Sequence, residues 1–445
     1  MNKPEISVKK ENSGINWSCK TFPVLFLMIS FSCGQSSDKQ VSTIDQESSP
    51  TAEKSKKTSL EKADVSYQWE HVSSVNGNLP VPNEGNQQTA TLVIDVDKNG
   101  INDFIISERT KAPAVVWYRR TENGWDRYLL ENEALTIEAG SAFSDIDGDG
   151  DFDIVLGGDA QSNQLWWWEN PYPNYNKDKG WQRRLIKDFG AKKHHDQIFG
   201  DFDGDGKEEL VFWNQLGKTL YFARIPANPK QAKSWRCEPI YTWSDDSEME
   251  QRGQYPAWRR THEHEGLTKI DIDGDGKLDI VGGGKWFKHI EGLTFLPNII
   301  DASYVFTRSA AGDLVAGGRP EVILVAGDGA APLVMYEWQK GIWNSKILIE
   351  RVMDGHSIGV LDFNGDGHLD IFTAEMQLGK NPEPKTRILL GDGKGDFKEM
   401  LVHTGFGLHE SVLVDLNGDG LLDILGKPYT WQAPRLDIWI NKGKQ

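Results

Sequence analysis

The chain has 445 residues, 38% of them hydrophobic, and a formal charge of −17. A mean hydropathy of −0.53 excludes a polytopic membrane protein, and the acid excess, with no basic block against it, excludes a nucleic-acid binder. The 45 glycines and 17 tryptophans point to an all-β, turn-rich fold.

The first element in chain order is a leader. Phe22 to Phe31 is an apolar run of ten, preceded by Lys3, Lys9, Lys10 and Lys20. Ten residues reach about 15 Å as a helix, too short for a bilayer and right for a signal-peptide core. The Ser32-Cys33-Gly34 that follows resembles a bacterial lipoprotein cleavage site, although Ser30 stands where an aliphatic residue is usual. Residues 1–32 are thus expected to be a signal peptide and Cys33 the lipidated residue. The protein is then exported to the cell envelope or outer surface on a lipid anchor. Beyond Cys33 the only further cysteine is Cys237, so no internal disulfide is available. From Gly34 to Ser66 there is no aromatic residue and few aliphatics, which predicts a disordered tether over 33–66.

From Tyr67 onward the chain repeats. The anchor Asp-x-Asp-Gly-Asp-Gly-x-x-Asp begins at Asp95, Asp145, Asp201, Asp271, Asp362 and Asp415, with a degenerate copy at Asp313. Successive spacings are 50, 56, 70, 42, 49 and 53 residues, the length of a propeller blade. After each anchor comes an apolar run, then an aromatic strand such as Leu165-Trp-Trp-Trp168, then in most units a strand led by Trp125, Trp181, Trp235 or Trp343. With the strand before the anchor, each unit holds four strands. The last unit stops at Trp439-Ile-Asn-Lys-Gly without its fourth strand, while Tyr67 to Val72 is such a strand with no unit of its own. Residues 67–445 therefore read as a seven-bladed β-propeller whose N-terminal strand closes the last blade.

The anchor chemistry is that of a calcium loop. Oxygens at positions one, three, five and nine, with the carbonyl of position seven, supply most of the six to eight that a hard cation takes. The expected ligands are Asp95, Asp97, Asn99 and Asp103; Asp145, Asp147, Asp149 and Asp153; Asp201, Asp203, Asp205 and Glu209; Asp271, Asp273, Asp275 and Asp279; Asp362, Asn364, Asp366 and Asp370; and Asp415, Asn417, Asp419 and Asp423. An EF-hand would need Glu at position twelve and flanking helices, whereas Leu156, Phe212, Gly282, Thr373 and Gly426 stand there between strands. About six structural Ca²⁺ ions are expected, with the Asp313 loop empty because Val315 and Gly317 replace ligands.

A strand, an Asp-rich loop and a strand, repeated around a seven-fold ring, resemble the FG-GAP/VCBS-repeat β-propellers, including the integrin α-subunit head. Trp168-Glu-Asn-Pro171 and Gly426 to Arg435 are similar to segments of secreted bacterial VCBS-repeat lipoproteins. A looser similarity runs to the propeller portion of aldos-2-ulose dehydratase, a sugar-processing enzyme. The resemblance implies the fold and the calcium, and leaves the function open.

Counting six residues back from each anchor marks the inner strand near the central axis: Thr89, Ala139, His195, Glu265, Thr307, His356 and His409. Three histidines among seven equivalent positions, beside Arg308 and Glu410, could hold one transition metal or act as acid and base. The alternative is that they hydrogen-bond neighbouring blades around a wet channel. The connection from Tyr241 to Glu265 is expected to overhang this mouth with aromatic, Arg and Glu side chains suited to sugars. Trp166 to Trp168 reads as blade packing and Cys237 as a small core residue. Two functions follow: a module binding carbohydrate or an extracellular protein, or a carbohydrate-active lyase or dehydratase. In the second, His195, His356 or His409 is base or metal ligand and Arg308 stabilises developing negative charge.

Overall fold

The computed structural model describes residues 60–244, 263–378 and 381–445. The signal-peptide, Cys33 and most of the tether expectations lie outside these residues, as does the middle of the 241–265 connection with His262.

Among the described residues twenty-nine strands form seven sheets in chain order, antiparallel apart from one short edge pairing. Blade 1 is Gln88–Ile94, Asp103–Glu108, Val115–Thr121 and Gly124–Glu131; blade 2 is Ile137–Ser144, Asp153–Gly158, Leu165–Glu169 and Gln182–Lys187. Blade 3 is His194–Gly200, Glu209–Asn214, Thr219–Arg224 and Cys237–Thr242; blade 4 is Thr268–Ile270, Asp279–Gly282, Lys285–Glu291 and Thr294–Ile299. Blade 5 is Thr307–Gly312, Glu321–Ala326, Ala330–Gln339 and Ile342–Met353; blade 6 is Ser357–Leu361, Asp370–Ala374, Lys385–Gly391 and Phe397–Thr404. Blade 7 has three strands of its own, Val412–Val414, Asp423–Gly426 and Asp437–Lys444.

The fourth strand of blade 7 is Tyr67–Ser73, paired antiparallel to Asp437–Lys444 with Trp69 opposite Asn441 and Ser73 opposite Asp437. The ring closes as the chain ends foretold. One strand was not foreseen. Glu61–Lys62, in the segment expected to be tether, runs parallel to the start of Phe397–Thr404 and gives blade 6 a fifth strand. Anchor loops and the turns between third and fourth strands share one face of the ring, so the chain enters the propeller on the anchor-loop face.

Each second strand is buried along its length, and its side chains alternate between two neighbours. Phe104 and Ile106 pack with Leu416 and Leu425 of blade 7, whereas Ile105 packs with Ile154 and Leu156 of blade 2. The tryptophan run obeys the same period: Trp166 and Trp168 face blade 1, and Trp167 faces Phe199 and Phe212 of blade 3. Seven apolar clusters result among the described residues, one between each adjacent pair of blades. The core is therefore a ring that surrounds the axis and leaves the axis to polar side chains. Cys237 is half-buried against the cluster between blades 2 and 3, and burial pushes its thiol up to about 12, so it is no nucleophile.

Candidate functional site

Six anchor loops share one geometry. The first Asp accepts the backbone N–H of position six at 2.7 to 3.1 Å in every one, from Asp95 to Asp415. Positions four and six have positive φ, supplied by glycine except at Lys98. The acid at position nine is a clasp. Asp153 accepts from Ile146 N (3.1 Å) within its loop and from Asn170 N (2.9 Å) on the third strand. Asp279, Asp370 and Asp423 repeat both bonds. Blade 5 separates clasp from ligand: Glu321 at its ninth position still accepts Leu314 N and Val315 N, both at 2.9 Å, although this loop lacks ligands at three and five. There Ala316 N donates to Gly393 O of blade 6 at 2.9 Å, so the turn of the neighbour fills the loop's mouth.

The loops suit a cation. Burial, and then neighbouring carboxylates, push Asp153 up to about 8; burial leaves Asp103 and Glu209 near 7, and Asp279, Asp370 and Asp423 near 6. Asp97 Oδ1 and Asp103 Oδ2 are buried without a hydrogen-bond partner. Three acidic oxygens converge within 4.8 Å at Asp95/Asp97/Asp103, Asp145/Asp147/Asp149, Asp201/Asp203/Glu209 and Asp271/Asp273/Asp279. In blades 6 and 7 an Asn replaces one acid of the set, and Asn364 and Asn417 donate to Asp366 (2.9 Å) and Asp419 (3.0 Å). Four of the loops thus bring together acidic oxygens that could hold a metal ion.

The second site is on the axis, at the opposite end of the inner strands. A cavity of about 290 Å³ is lined by Ala139, His195, Glu265, His356 and His409, five of the seven positions six residues before an anchor. Thr89 and Thr307 are buried and bond to their own sheets, through Ser107 Oγ at 2.8 Å and Val325 O at 2.8 Å. Arg308 does not reach this cavity. It lines a second one, of about 220 Å³, further along the channel.

Between the two lies an ionic layer set by an irregularity in the inner strands. Opposite the second strand of blade 3, pairing passes from His195 to Gln197 and leaves Asp196 bulged, at φ 46°. Glu410, the equivalent residue before blade 7, has φ 47°. In blades 2 and 4 this position is Gly140 and Gly266. A Cβ on Gly140 would lie 2.5 Å from the Asp196 backbone, and one on Gly266 2.5 Å from Thr307 O. The left-handed backbone of Asp196 and Glu410 costs about 1 kcal/mol or more each and aims a carboxylate at the axis. Arg308 joins them, with Nη1 2.8 Å from Asp196 Oδ1 and Nη2 3.3 Å from Glu410 Oε1. Gly266 N (2.7 Å) and Gly140 N (3.2 Å) donate to the same carboxylates.

His195 Nδ1 is 2.8 Å from Asp196 Oδ2 and its Nε2 is 3.3 Å from Glu265 Oε1. Burial opposes its charge, but Glu265 and then Asp196 outweigh that and raise it to about 9. His409 is held well below the usual range by burial, then by Lys427 and His356. It stacks on His356 at 4.5 Å between ring centroids and on Tyr429 at 4.9 Å. Within one cavity the surroundings therefore favour the charged form of His195 and the neutral form of His409. Nitrogen and oxygen atoms of His195, Glu265 and His356 also lie within 4.8 Å of one another, all three residues buried, a set suited to a borderline cation such as zinc.

Sequence reasoning missed Asp196, Glu138, Arg109, Lys193, Asp328 and Tyr429, which complete the cavity or its floor. Asp196 and Glu138 adjoin axial positions in sequence, and the bulge that turns them inward has no residue signature. Arg109, Asp328 and Tyr429 come from the connections between second and third strands, where the repeat sets no pattern. Arg109 pairs with Glu138 and donates to Tyr429 Oη at 2.9 Å. His194 and His264 point away from the axis, with Lys187 Nζ and Lys285 Nζ each 3.1 Å from Nε2.

A scan against protein-family models finds no match, and neither does a comparison with curated proteins. Among solved structures, the chain is similar to the V. cholerae biofilm matrix protein Bap1 at 10% identity and a TM-score of 0.47, over 82% of this chain and 89% of that one. Two crystal structures of BBS1N in complex with ARL6DN match at 10% identity. The one soaked with mercury has a TM-score of 0.47 over 84% of this chain and 96% of that one, the one soaked with lead 0.49 over 85% and 97%. The chain itself is an all-β, seven-bladed propeller with Asp-rich loops, on its own blade count and strand pairing.

Proposed function

We propose that this chain is an exported, calcium-stabilised propeller that binds a small polyhydroxylated ligand, a carbohydrate, in its central cavity. The observation that carries the reading is the convergence of five axial positions on one cavity of about 290 Å³ with an ionisable lining. A flat protein epitope would not use such a recess, so a protein partner on the blade rims ranks below a sugar. Arg109 and Glu138 offer charged groups to hydroxyls or a carboxylate, and Tyr429 and Met376 offer apolar faces. Export and lipidation at Cys33 are supported by the leader residues, and mass measurement of the membrane-extracted protein tests them.

A second reading is favoured by one arrangement. His195 lies between carboxylates at 2.8 and 3.3 Å, while Lys427 Nζ lies 3.2 Å from His409 Nδ1. These neighbours push the two imidazoles in opposite directions. Paired groups pushed apart in this way are how one site runs acid and base chemistry. In a lyase or dehydratase, His409 would take the proton and His195 give one, and the guanidinium lining that cavity is Arg109 rather than Arg308. A divalent transition metal on His195, Glu265 and His356 would polarise a ligand oxygen, and His195 would have to surrender a proton to hold it.

Elemental analysis and calorimetry with neutral and acidic sugars decide between them. Calcium alone, with sugar binding and no turnover, supports the binding module. About one equivalent of zinc, iron or manganese, lost in His356→Ala along with turnover, moves the assignment to the enzyme. Neither sugar binding nor turnover would overturn both.

A further inference from the structure

The acid at position nine of every anchor loop faces one residue of the third strand across the sheet. In blades 1 to 7 that residue is Arg119, Glu169, Arg224, Lys288, Glu337, Leu390 and Ile440. Position three of the same loops reads Asp97, Asp147, Asp203, Asp273, Val315, Asn364 and Asn417. The two series match. Arg119 Nε is 2.5 Å from Asp97 Oδ2, Arg224 contacts Asp203, and Lys288 contacts Asp273 and lies 3.0 Å from Asp275. Blade 2 has Glu169 at the facing position and takes its cation elsewhere: Lys230, before the Trp235 strand, lies 2.6 Å from Asp147 and 3.0 Å from Glu169. Where position three is Asn, the facing residue is aliphatic and no cation contacts it among the described residues.

Counting the four ligand positions with the facing residue, blade 1 carries −3 + 1 = −2, blade 2 −4 − 1 = −5 (−4 once Lys230 is added), blades 3 and 4 each −4 + 1 = −3, and blades 6 and 7 each −3. Total charge does not sort the loops, since blades 3 and 4 equal blades 6 and 7; the difference lies in which carboxylate oxygens are already engaged. The ligand-directed atoms differ. In blades 1 to 4 one oxygen of the position-three carboxylate, Oδ2 in each, is already held by a side-chain cation, so an incoming ion meets a positive charge on the far side of its ligand. In blade 1, Asp97 still turns a buried, unpartnered Oδ1 into the loop.

We propose that these facing cations gate the loops, so that the propeller carries two classes of calcium site. Blades 1 to 4 are gated by Arg119, Lys230, Arg224 and Lys288, and blades 6 and 7 are ungated and fill first. A cation within a few ångströms of a carboxylate weakens that carboxylate's hold on another cation by about tenfold or more. Gated loops then bind calcium about tenfold more weakly, and more weakly still where the ion pair is tight. Calcium therefore secures the blades that flank the ring closure before the others.

Calcium calorimetry on the full chain, starting from chelator-treated protein, tests this. If the chelated chain unfolds, stepwise chelator competition from the loaded protein gives the same constants. The wild type is expected to show two tight sites and a weaker group. Arg224→Leu should move one site into the tight class, raising the tight count to three, and Asp415→Asn should lower it to one. Asp203→Asn with Arg224 retained should weaken calcium, whereas the double change, which copies blade 6, should restore a tight site. Arg119→Leu is the same test in blade 1 should Arg224→Leu fail to fold. A single affinity class in the wild type, or folded Arg224→Leu and Arg119→Leu proteins with unchanged or weaker calcium binding, would overturn the gating.

Discussion

Arg308 and Asp196 are 112 residues apart in sequence, on blades 5 and 3, yet Nη1 of one lies 2.8 Å from Oδ1 of the other across the axis. Asp196 is buried and Arg308 half-buried, and each favours the charged form of the other against the cost of leaving water. Removing the cation would leave Asp196 and Glu410 facing one another without compensation. Arg308→Met is expected to cost about 3–5 kcal/mol, the usual loss when one partner of a buried pair is deleted. Urea unfolding with the slope held constant measures it. A loss below about 1 kcal/mol would mean that solvent reaches the layer.

His194 provides the pH dependence. Its Nε2 accepts from Lys187 Nζ at 3.1 Å and Asn214 Nδ2 at 3.0 Å, its Nδ1 faces Gly158 O at 3.3 Å, and Phe212 packs beside the ring. Burial, then Lys187, lower it to about 3. The folded protein thus binds fewer protons here than the unfolded chain between pH about 3 and 6.5. The contribution is whole above pH 6.5 and falls away on acidification, by about 1.4 kcal/mol per unit. At pH 5 the calcium-loaded wild type should have lost about 2 kcal/mol from this group, and His194→Gln should lack that slope. Parallel profiles for the two proteins would refute it.

The clasp at position nine separates architecture from ligation. Asp153→Ala strands two buried N–H groups, at about 1–3 kcal/mol each, and should destabilise the protein with or without calcium. Asp149→Ala removes only a ligand and should matter in calcium alone. Thermal melts in calcium and in chelator distinguish the two. Chelation should lower the melting temperature of the wild type, and equal melts in both conditions would exclude structural calcium.

Ring closure rests on Tyr67–Ser73. A chain beginning just before Tyr67 should keep the fold, whereas one beginning after Ser73 bares the whole edge of Asp437–Lys444. The shorter chain is expected to aggregate on size exclusion and to be rescued by a peptide spanning residues 67–73. A monodisperse, equally stable short chain would contradict the closure.

The blades were legible because their period is enforced by chemistry: six loops keep their acids and glycines in place, and each second strand is apolar on both faces. The alternation of Trp166, Trp167 and Trp168 between two neighbours follows from strand geometry alone. The axial site was half legible. Counting back from the anchors finds His195, His356 and His409, because these positions keep one spacing from the anchor loop although the paired strand between varies in length. It does not find the layer beneath, since the bulge that turns Asp196 and Glu410 inward depends on packing between strands. Arg308 was assigned to the wrong side of that layer for the same reason. The pairing of Glu61–Lys62 escaped because two polar residues on a sheet edge carry no apolar pattern to read.

That short pairing has a practical meaning. Leu60 is delivered to the ring on the side of the Asp-rich loops, and the 290 Å³ cavity lies toward the opposite end of the inner strands. Whatever is fixed to the chain upstream, an acyl group, an affinity tag or a sensor chip, pulls from the calcium side. A molecule immobilised through its N-terminus turns the histidine-lined end of the inner strands away from the support, and one held by a C-terminal tag at Gln445, beside the same loops, does the same.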